Sequence, residues 1–500
     1  MTAVAPAEVR RSTRSGAIGL AGAAVNGAFG FVLTIVIVRS FGPAGSGALF
    51  SVIGVVTIVG ALCCLGADTG LMWALPRRRT GPAGDAARLI PVALLPTAGL
   101  ALLVAAAGLF AAGPISRALL DDPAGATLIR VAFAGVPVIV VGTVLLAAVR
   151  ATRAVSAYVG IQFLFVPMAR PALMIAAVLT GGGVLAGFAG WLLPVAVALV
   201  IALALVAQPL GVGAGASWRP ARADWRSFWG FALPRAASVA IDASSMWVGV
   251  LLTGALATQA EAGVFAAVGR YALAGLLVVQ GLRVAIAPQL SRLLGAGRLA
   301  EAAQVYRRTS LWIVLLSWPA YLLLAVFAPA FLALFGADFS SGAAPLAVLA
   351  VAMAVNVGVG LVQTVLLMSG NSRGHLCATV AGLTVNLALC FLLIPRYGAL
   401  GAALAWSAGI VCENVGAAVL ARRALGEALF GRTLVGSALA VTAATGAAAA
   451  IGTLIAGRGL PGLAVALGIV AVSALALLSD RRIRAAVAAV RHQLKPQEKQ

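Results

Sequence analysis

Residues Phe231–Gly254 read FALPRAASVAIDASSMWVGVLLTG. The stretch is long and apolar enough to cross a bilayer as a helix, for which about 20 residues suffice. It nevertheless carries Arg235 about one turn inside one end and Asp242 about halfway along. A charge at mid-bilayer is costly unless it faces a bundle interior or a wet cavity. The stretch therefore predicts a helix that forms one wall of a charge-lined internal pathway.

The rest of the chain has the same apolar character. Of its 500 residues 62% are hydrophobic and 10% charged, with a mean hydropathy of +1.07. Soluble domains are about 45–50% apolar and about 25% charged. The fold class this implies is an all-α polytopic membrane protein. A net charge of +21 would point to nucleic acid in a soluble chain. Here the Arg residues cluster in short stretches between apolar runs, as in cytoplasmic loops, so no nucleic-acid partner is expected.

At about 20 residues per crossing the sequence divides into about fourteen helices. Six precede the polar loop: Ala17–Val38, Ala48–Gly66, Leu89–Ala112, Leu128–Val149, Tyr158–Leu179 and Val184–Ala207. Six follow it: Phe231–Gly254, Gly263–Ala287, Thr309–Phe331, Ala344–Met368, Leu376–Ile394 and Gly398–Leu420. Thr433–Ala456 and Leu460–Leu478 are the last two. The predicted organisation is a cytoplasmic N-terminus (1–16), an N-lobe of six helices (17–207), a cytoplasmic inter-lobe loop (208–229), a C-lobe of six helices (230–421), two further helices (422–479) and a basic cytoplasmic tail (480–500).

Charge tests this topology. With the N-terminus inside, alternation places 26 of the 35 basic residues in cytoplasmic segments, five at outside ends and four within spans. That asymmetry predicts both termini in the cytoplasm and an even number of crossings. The tail, with Arg481, Arg482, Arg484, Arg491, Lys495 and Lys499, reads either as a short helix near anionic headgroups or as a solvated terminus. Arg10, Arg11 and Arg14 precede an apolar run of span length, which argues for an uncleaved first helix rather than a signal peptide. Cys63, Cys64, Cys377, Cys390 and Cys412 lie in or beside apolar segments without a CxxC spacing, as small packing residues do.

The two halves repeat each other. Gly183-Val-Leu-Ala-Gly-Phe-Ala-Gly-Trp191 matches Gly398-Ala-Leu-Gly-Ala-Ala-Leu-Ala-Trp406, and each follows a Leu-Leu…Arg exit, at Leu145-Leu146…Arg153 and Leu366-Leu367…Arg373. Asn26 precedes Gly47 by the interval that separates Asp242 from Gly263, and a Phe follows each Gly. Copies beginning six helices apart share an orientation, as in transporters whose substrate site lies between pseudo-symmetric lobes. Chance similarity among Gly- and Ala-rich helices is the competing explanation.

Enzyme signatures are lacking. The two His, His375 and His492, have no metal-ligand spacing, and the only Lys residues stand at the extreme C-terminus, so a phosphate-binding P-loop cannot occur. No cofactor or metal is expected. What remains is a set of intramembrane charges: Arg170, Arg235, Asp242, Arg270, Arg283 and Glu413. An interior with that surplus of Arg would attract a multivalent anion, which guanidinium groups bind in a planar, bidentate manner. Arg170 stands between Pro167 and Pro171, where a broken helix would expose backbone to the cavity. Arg235 and Arg283, in the cytoplasmic third, read either as substrate ligands at the cytoplasmic mouth or as snorkelling side chains. Arg270 lies toward the outside. Asp242 reads as counter-ion to an Arg or as the site of a coupling proton or sodium ion, and Glu413 as a packing or loop-facing group. Asn26, Asn356, Gln363 and Asn386 could line a polar cavity or bond neighbouring helices. Trp73, Trp225 and Trp229 read as interface anchors.

Three stretches carry a family resemblance: Arg39-Ser-Phe-Gly-Pro-Ala-Gly-Ser-Gly-Ala-Leu-Phe50, Glu261-Ala-Gly-Val-Phe265 and Ile394-Pro-Arg-Tyr-Gly-Ala-Leu-Gly-Ala-Ala403. In order and spacing they resemble the polysaccharide transporter (oligosaccharide flippase) family of the multidrug/oligosaccharidyl-lipid/polysaccharide superfamily. The resemblance covers Ser15–Leu420. It implies two lobes that open alternately and move an undecaprenyl-pyrophosphate-linked oligosaccharide across the cytoplasmic membrane, with a glycan polymerase as a further partner. The related lipid II flippase is less similar, because its Arg-Asp pair early in helix one has no match in Gly19–Asn26. Two alternatives stay open. A cation-coupled multidrug extruder of the same superfamily would depend on Asp242 and Glu413. A membrane polymerase or ligase would need a sizeable outside loop, and the predicted outside loops are short.

Overall fold

Long apolar runs interrupted by Gly and Pro give helices with sharp turns, since a helix satisfies every backbone polar group within itself in lipid. The computed structural model describes residues 6–78, 86–207, 220–274 and 276–479, and all regular structure there is helical. The tail 480–500 and most of the loop 208–229 lie outside the described residues, as do the side chains of Asp242 and Arg283. The chain forms two compact units, Met1–Arg270 with Val385–Trp406, and Tyr271–Thr384 with Ser407–Gln500.

In the first unit, α1 (Pro6–Cys63) is broken at Gly42, whose φ of 63° precedes Pro43. Short α2 (Ala67–Arg78) continues it, and α3 (Leu89–Phe110) and α4 (Ala112–Leu120) follow. Next come α5 (Ala126–Thr152) and a composite span of α6 (Val155–Val159), a π-helical turn (Gly160–Phe165) and α7 (Val166–Leu179). The unit continues with α8 (Val184–Ala207), α9 (Arg222–Leu256) and most of α10 (Gln259–Ala274). Helix α5 packs between α3 and α8, α7 lies on α8, and α1 contacts α5, α7 and α9. The opening stretch, Phe231–Gly254, forms the body of α9. Asp224, buried in its first turn, accepts from the backbone N–H of Ala221 at 2.9 Å and so caps it.

The second unit holds α11 (Leu276–Gly295), α12 (Leu299–Val326), short α13 (Ala328–Leu332), α14 (Ala343–Gly358) and α15 (Val362–Met368). Helices α14 and α15 are separated by a break at Gly360, whose φ is +76°. Both ends of α16 (Ser372–Leu425) belong here too, while its middle belongs to the first unit, where the chain turns at Gly398 with a φ of 52°. Finally α17 (Arg432–Ala456) and α18 (Leu460–Ser479) pack on one another. Leu323 and Phe327, at the end of α12, form a core with Ala330, Ala449, Leu463 and Ala466.

Among the described residues nine helices are long and apolar enough to cross a membrane. Two of these, Ala21–Cys63 and Ser372–Leu425, run to 43 and 54 residues and contain the turns at Gly42 and Gly398, so each supplies two crossings. The fourteen stretches read from the sequence are helical over most of their described lengths, with Ala344–Met368 broken at Gly360. Large apolar side chains point outward in number, Phe110 at 91% exposure among them. A soluble protein would bury such a surface, whereas lipid-facing helices require it.

Candidate functional site: a tryptophan-backed arginine pair

The first unit brings two of the four intramembrane Arg residues together. Arg170, on α7, lies flat on Trp191 of α8: its guanidinium carbon is 4.2 Å from the ring centroid, and its Nε–H donates to the Trp191 carbonyl oxygen at 3.2 Å. Arg270, on α10, lies over Trp247 of α9 at 5.6 Å. Both side chains are half-buried, and the two charges are near enough to interact.

Stacking uses the face of a guanidinium and leaves its edge free. At Arg170 the carbonyl of Trp191 takes the Nε–H, so the remaining donors are those of the two terminal nitrogens. Among the described residues no carboxylate pairs with either Arg. Two like charges close to one another are unfavourable in a medium of low polarity, and an incoming anion relieves that repulsion. The ring faces also hold the side chains in place, so little motion is lost on binding.

The other Trp of the repeat stands nearby. Trp406 packs edge-on against Phe265 with centroids 6.1 Å apart, and a Cβ on Gly269, next to Arg270, would lie 3.9 Å from its ring. Trp191 and Trp406, equivalent in the repeat, thus each stand beside one Arg-bearing helix. Arg235 is exposed on α9, one turn beyond Phe231, which stacks on Trp73 at 4.6 Å. Arg77 covers Trp73 at 4.7 Å. This aromatic pair lies at the cytoplasmic end of the predicted topology, where Trp anchors are expected.

Of the four candidate amides, Asn26 and Asn386 lie in the first unit and Asn356 and Gln363 in the second. Asn26 is exposed on α1. Asn386 is buried on α16 and accepts from the Cys390 thiol at 3.4 Å. Asn356 and Gln363 flank the α14–α15 break in the second unit and bond α16: Asn414 Nδ2 donates to Asn356 Oδ1 at 2.8 Å, and Gln363 Nε2 donates to Glu413 Oε1 at 2.9 Å. Thr379 Oγ1 donates to the same carboxylate oxygen at 3.0 Å. Glu413, expected to be a packing or loop-facing group, accepts both bonds and so ties α15 and the start of α16 to the later part of α16.

The sequence reading did not single out Trp191 or Trp247 as partners of Arg. Both were in view, one in the repeat and one in the opening stretch, but nothing in their spacing from Arg170 and Arg270 marks a stack made across two helices.

No protein-family model and no curated protein matches this sequence. Solved structures match its fold throughout. A multidrug resistance MATE family transporter of the MOP superfamily, in an inward-facing conformation, aligns at 17% identity over 79% of this chain and 94% of its own, with a TM-score of 0.61. The lipid II flippase MurJ, in an inward closed conformation, aligns at 11% identity over 91% and 98%, with a TM-score of 0.67. A MOP superfamily transporter from Pyrococcus furiosus, described by a binding pocket of reverse polarity that suggests a different function, aligns at 17% identity over 83% and 95%, with a TM-score of 0.57. The chain is a multi-pass membrane protein with the fold of the MOP transporters.

Proposed function

We propose that the protein is a flippase. Its substrate would be an undecaprenyl-pyrophosphate-linked oligosaccharide, moved from the cytoplasmic to the outer leaflet of the cytoplasmic membrane for polysaccharide biosynthesis and export. The observation that carries this reading is the Arg170–Arg270 pair, stacked on Trp191 and Trp247 with no carboxylate partner among the described residues. A diphosphate offers two phosphoryl groups to two guanidinium edges, and each contact can be bidentate. Arg235 and Arg283 act as cytoplasmic-side ligands and Asp242 as counter-ion or coupling site. The two lobes, 17–207 and 230–421, open alternately, and both termini lie in the cytoplasm. A glycan polymerase would take up the product outside.

The test is transbilayer movement of a labelled undecaprenyl-pyrophosphate glycan in proteoliposomes holding the purified protein. Movement that depends on the protein and falls when Arg170 is replaced by Ala supports the reading. Movement unchanged in Arg170→Ala removes Arg170 from the site.

One observation favours a second reading. The Glu413 cluster places a hydrogen-bonded carboxylate beside a broken helix, an arrangement suited to a coupling cation. A cation-coupled multidrug extruder would show ion-driven efflux of a cationic dye that is lost in Glu413→Gln or Asp242→Asn and kept in Arg170→Ala.

A further inference from the structure

The span that carries Arg170 contains the one π-helical turn among the described residues, Gly160–Phe165. A π-helix bonds each N–H to the carbonyl five residues back, and such turns recur at functional sites. The Val166 N–H bonds the Ile161 carbonyl oxygen in this way. The next N–H in the ladder is missing, because residue 167 is Pro. The carbonyl it would have reached, that of Gln162 at π spacing or of Phe163 at α spacing, therefore has no backbone donor. The side chain of Gln162 is half-buried, and no group among the described residues bonds its amide. A polar side chain and a backbone carbonyl left open side by side in an apolar span call for a partner.

Exposure gives their direction. Leu164, Met168, Ala172 and Ile175 form the exposed stripe of this span. Gln162 and Arg170 each lie two residues off that stripe, on the opposite side. Gln162 precedes Arg170 by at most about 12 Å along the axis, toward the end that the Arg distribution assigns to the cytoplasm. One turn further the same way is half-buried Tyr158, edge-on to Phe163 at 5.7 Å and covered by Arg150 at 5.1 Å. The carboxylate of Asp68, on α2, is near enough for its charge to act on the Tyr158 hydroxyl. Its Oδ1 is buried and has no hydrogen-bond partner among the described residues.

We propose that Gln162, the open carbonyl beside it, Tyr158 and Asp68 form a subsite for the first sugars of the glycan, on the cytoplasmic side of Arg170. The assignment rests on the flippase reading and deepens it. A sugar hydroxyl donates one bond and accepts two. It can therefore meet the carbonyl and the carboxylate as donor and the Gln162 amide as either. A few placed polar groups among aromatic and apolar side chains are what orients a bound ligand. A cationic drug would be served by the carbonyl and by Asp68 but has no use for the amide N–H.

The test compares two soluble probes on the purified protein. Both are geranyl diphosphates, one carrying N-acetylglucosamine on its terminal phosphate and the other a methyl group, so they share a charge and differ in the sugar. Ligand-dependent shifts in unfolding temperature give the two affinities. The sugar-bearing probe is expected to bind more tightly. Gln162→Leu should narrow that preference about two- to tenfold, as the loss of a hydrogen bond does. Asp68→Asn should narrow it too, and Gln162→Asn, which keeps an amide, should narrow it less. Arg170→Ala should weaken both probes alike. Equal binding of the two probes by the unaltered protein would overturn the subsite, and so would a preference unchanged in well-folded Gln162→Leu. In either case, binding of the methyl ester that depends on Arg170 leaves the flippase reading standing. A sugar preference with no dependence on Arg170 would remove the Arg pair as diphosphate ligand and keep the subsite. Binding of neither probe would end both.

Discussion

Arg170 rests with its guanidinium carbon 4.2 Å above the ring of Trp191, the residue whose carbonyl oxygen also accepts its Nε–H. One residue on α8 thus sets both the plane and the rotation of the Arg, and only the two terminal nitrogens remain to meet a ligand. A Lys at 170 could neither stack in a plane nor offer a fork. Loss of a desolvated cation–π contact costs about 1–2 kcal/mol, or about five- to thirtyfold in binding. Arg170→Lys and Trp191→Ala should therefore weaken lipid transport by similar factors, and Trp191→Phe by less. Initial flipping rates at sub-saturating substrate measure this.

The second Arg makes an opposite pair of predictions. Because Arg170 and Arg270 repel one another, Arg270→Gln should leave the melting temperature of the unliganded protein unchanged or raised. The stabilisation gained on adding inorganic pyrophosphate should fall. Thermal unfolding in detergent, with and without pyrophosphate, reads both. A large drop in stability without ligand would mean that Arg270 has a structural role instead.

Where α1 crosses α10, at Gly47 and Gly263, the limiting factor is space. A methyl group at Gly263 has no room against Pro43 and Gly47, whereas one at Gly99 meets nothing within 4 Å. Gly263→Ala should lose stability by about 1–3 kcal/mol or more, the cost of overpacking. Gly99→Ala should be neutral or slightly stabilising, as a helix interior allows. Midpoints of thermal unfolding for the two variants make the comparison.

Glu413 permits structure and function to be separated. Glu413→Ala removes an acceptor shared by Gln363 and Thr379 and should destabilise by about 1 kcal/mol. Glu413→Gln keeps an acceptor and should cost less. If its transport becomes insensitive to the ion gradient while its stability holds, the charge has a coupling role. If stability and transport fall together in both variants, the residue serves packing.

Local composition determined a good deal here. The lengths of the apolar runs predicted the spanning helices, because crossing a bilayer is decided by a window of about 20 residues. Arg170 and Arg270 were visible as candidates for the same reason, since a charge in such a window is conspicuous whatever surrounds it. Asp242 and Arg283 were visible too, though their side chains lie outside the described residues.

Partnership was not legible. Trp191 meets Arg170 across 21 residues, Ala399 meets Glu261 across 138 and Gln259 meets Ser51 across 208. No periodicity links such positions, and apolar helices can pack in many registers. Glu413 shows the consequence: nothing in its sequence neighbourhood marks Gln363 and Thr379 as the donors that its half-buried carboxylate accepts from. The sequence by itself determined a many-spanning helical protein with a surplus of intramembrane Arg, because hydropathy and charge act locally. Which Arg come together, which Trp hold them and which distant stretches meet were decided only by tertiary packing, where small residues let particular helices approach.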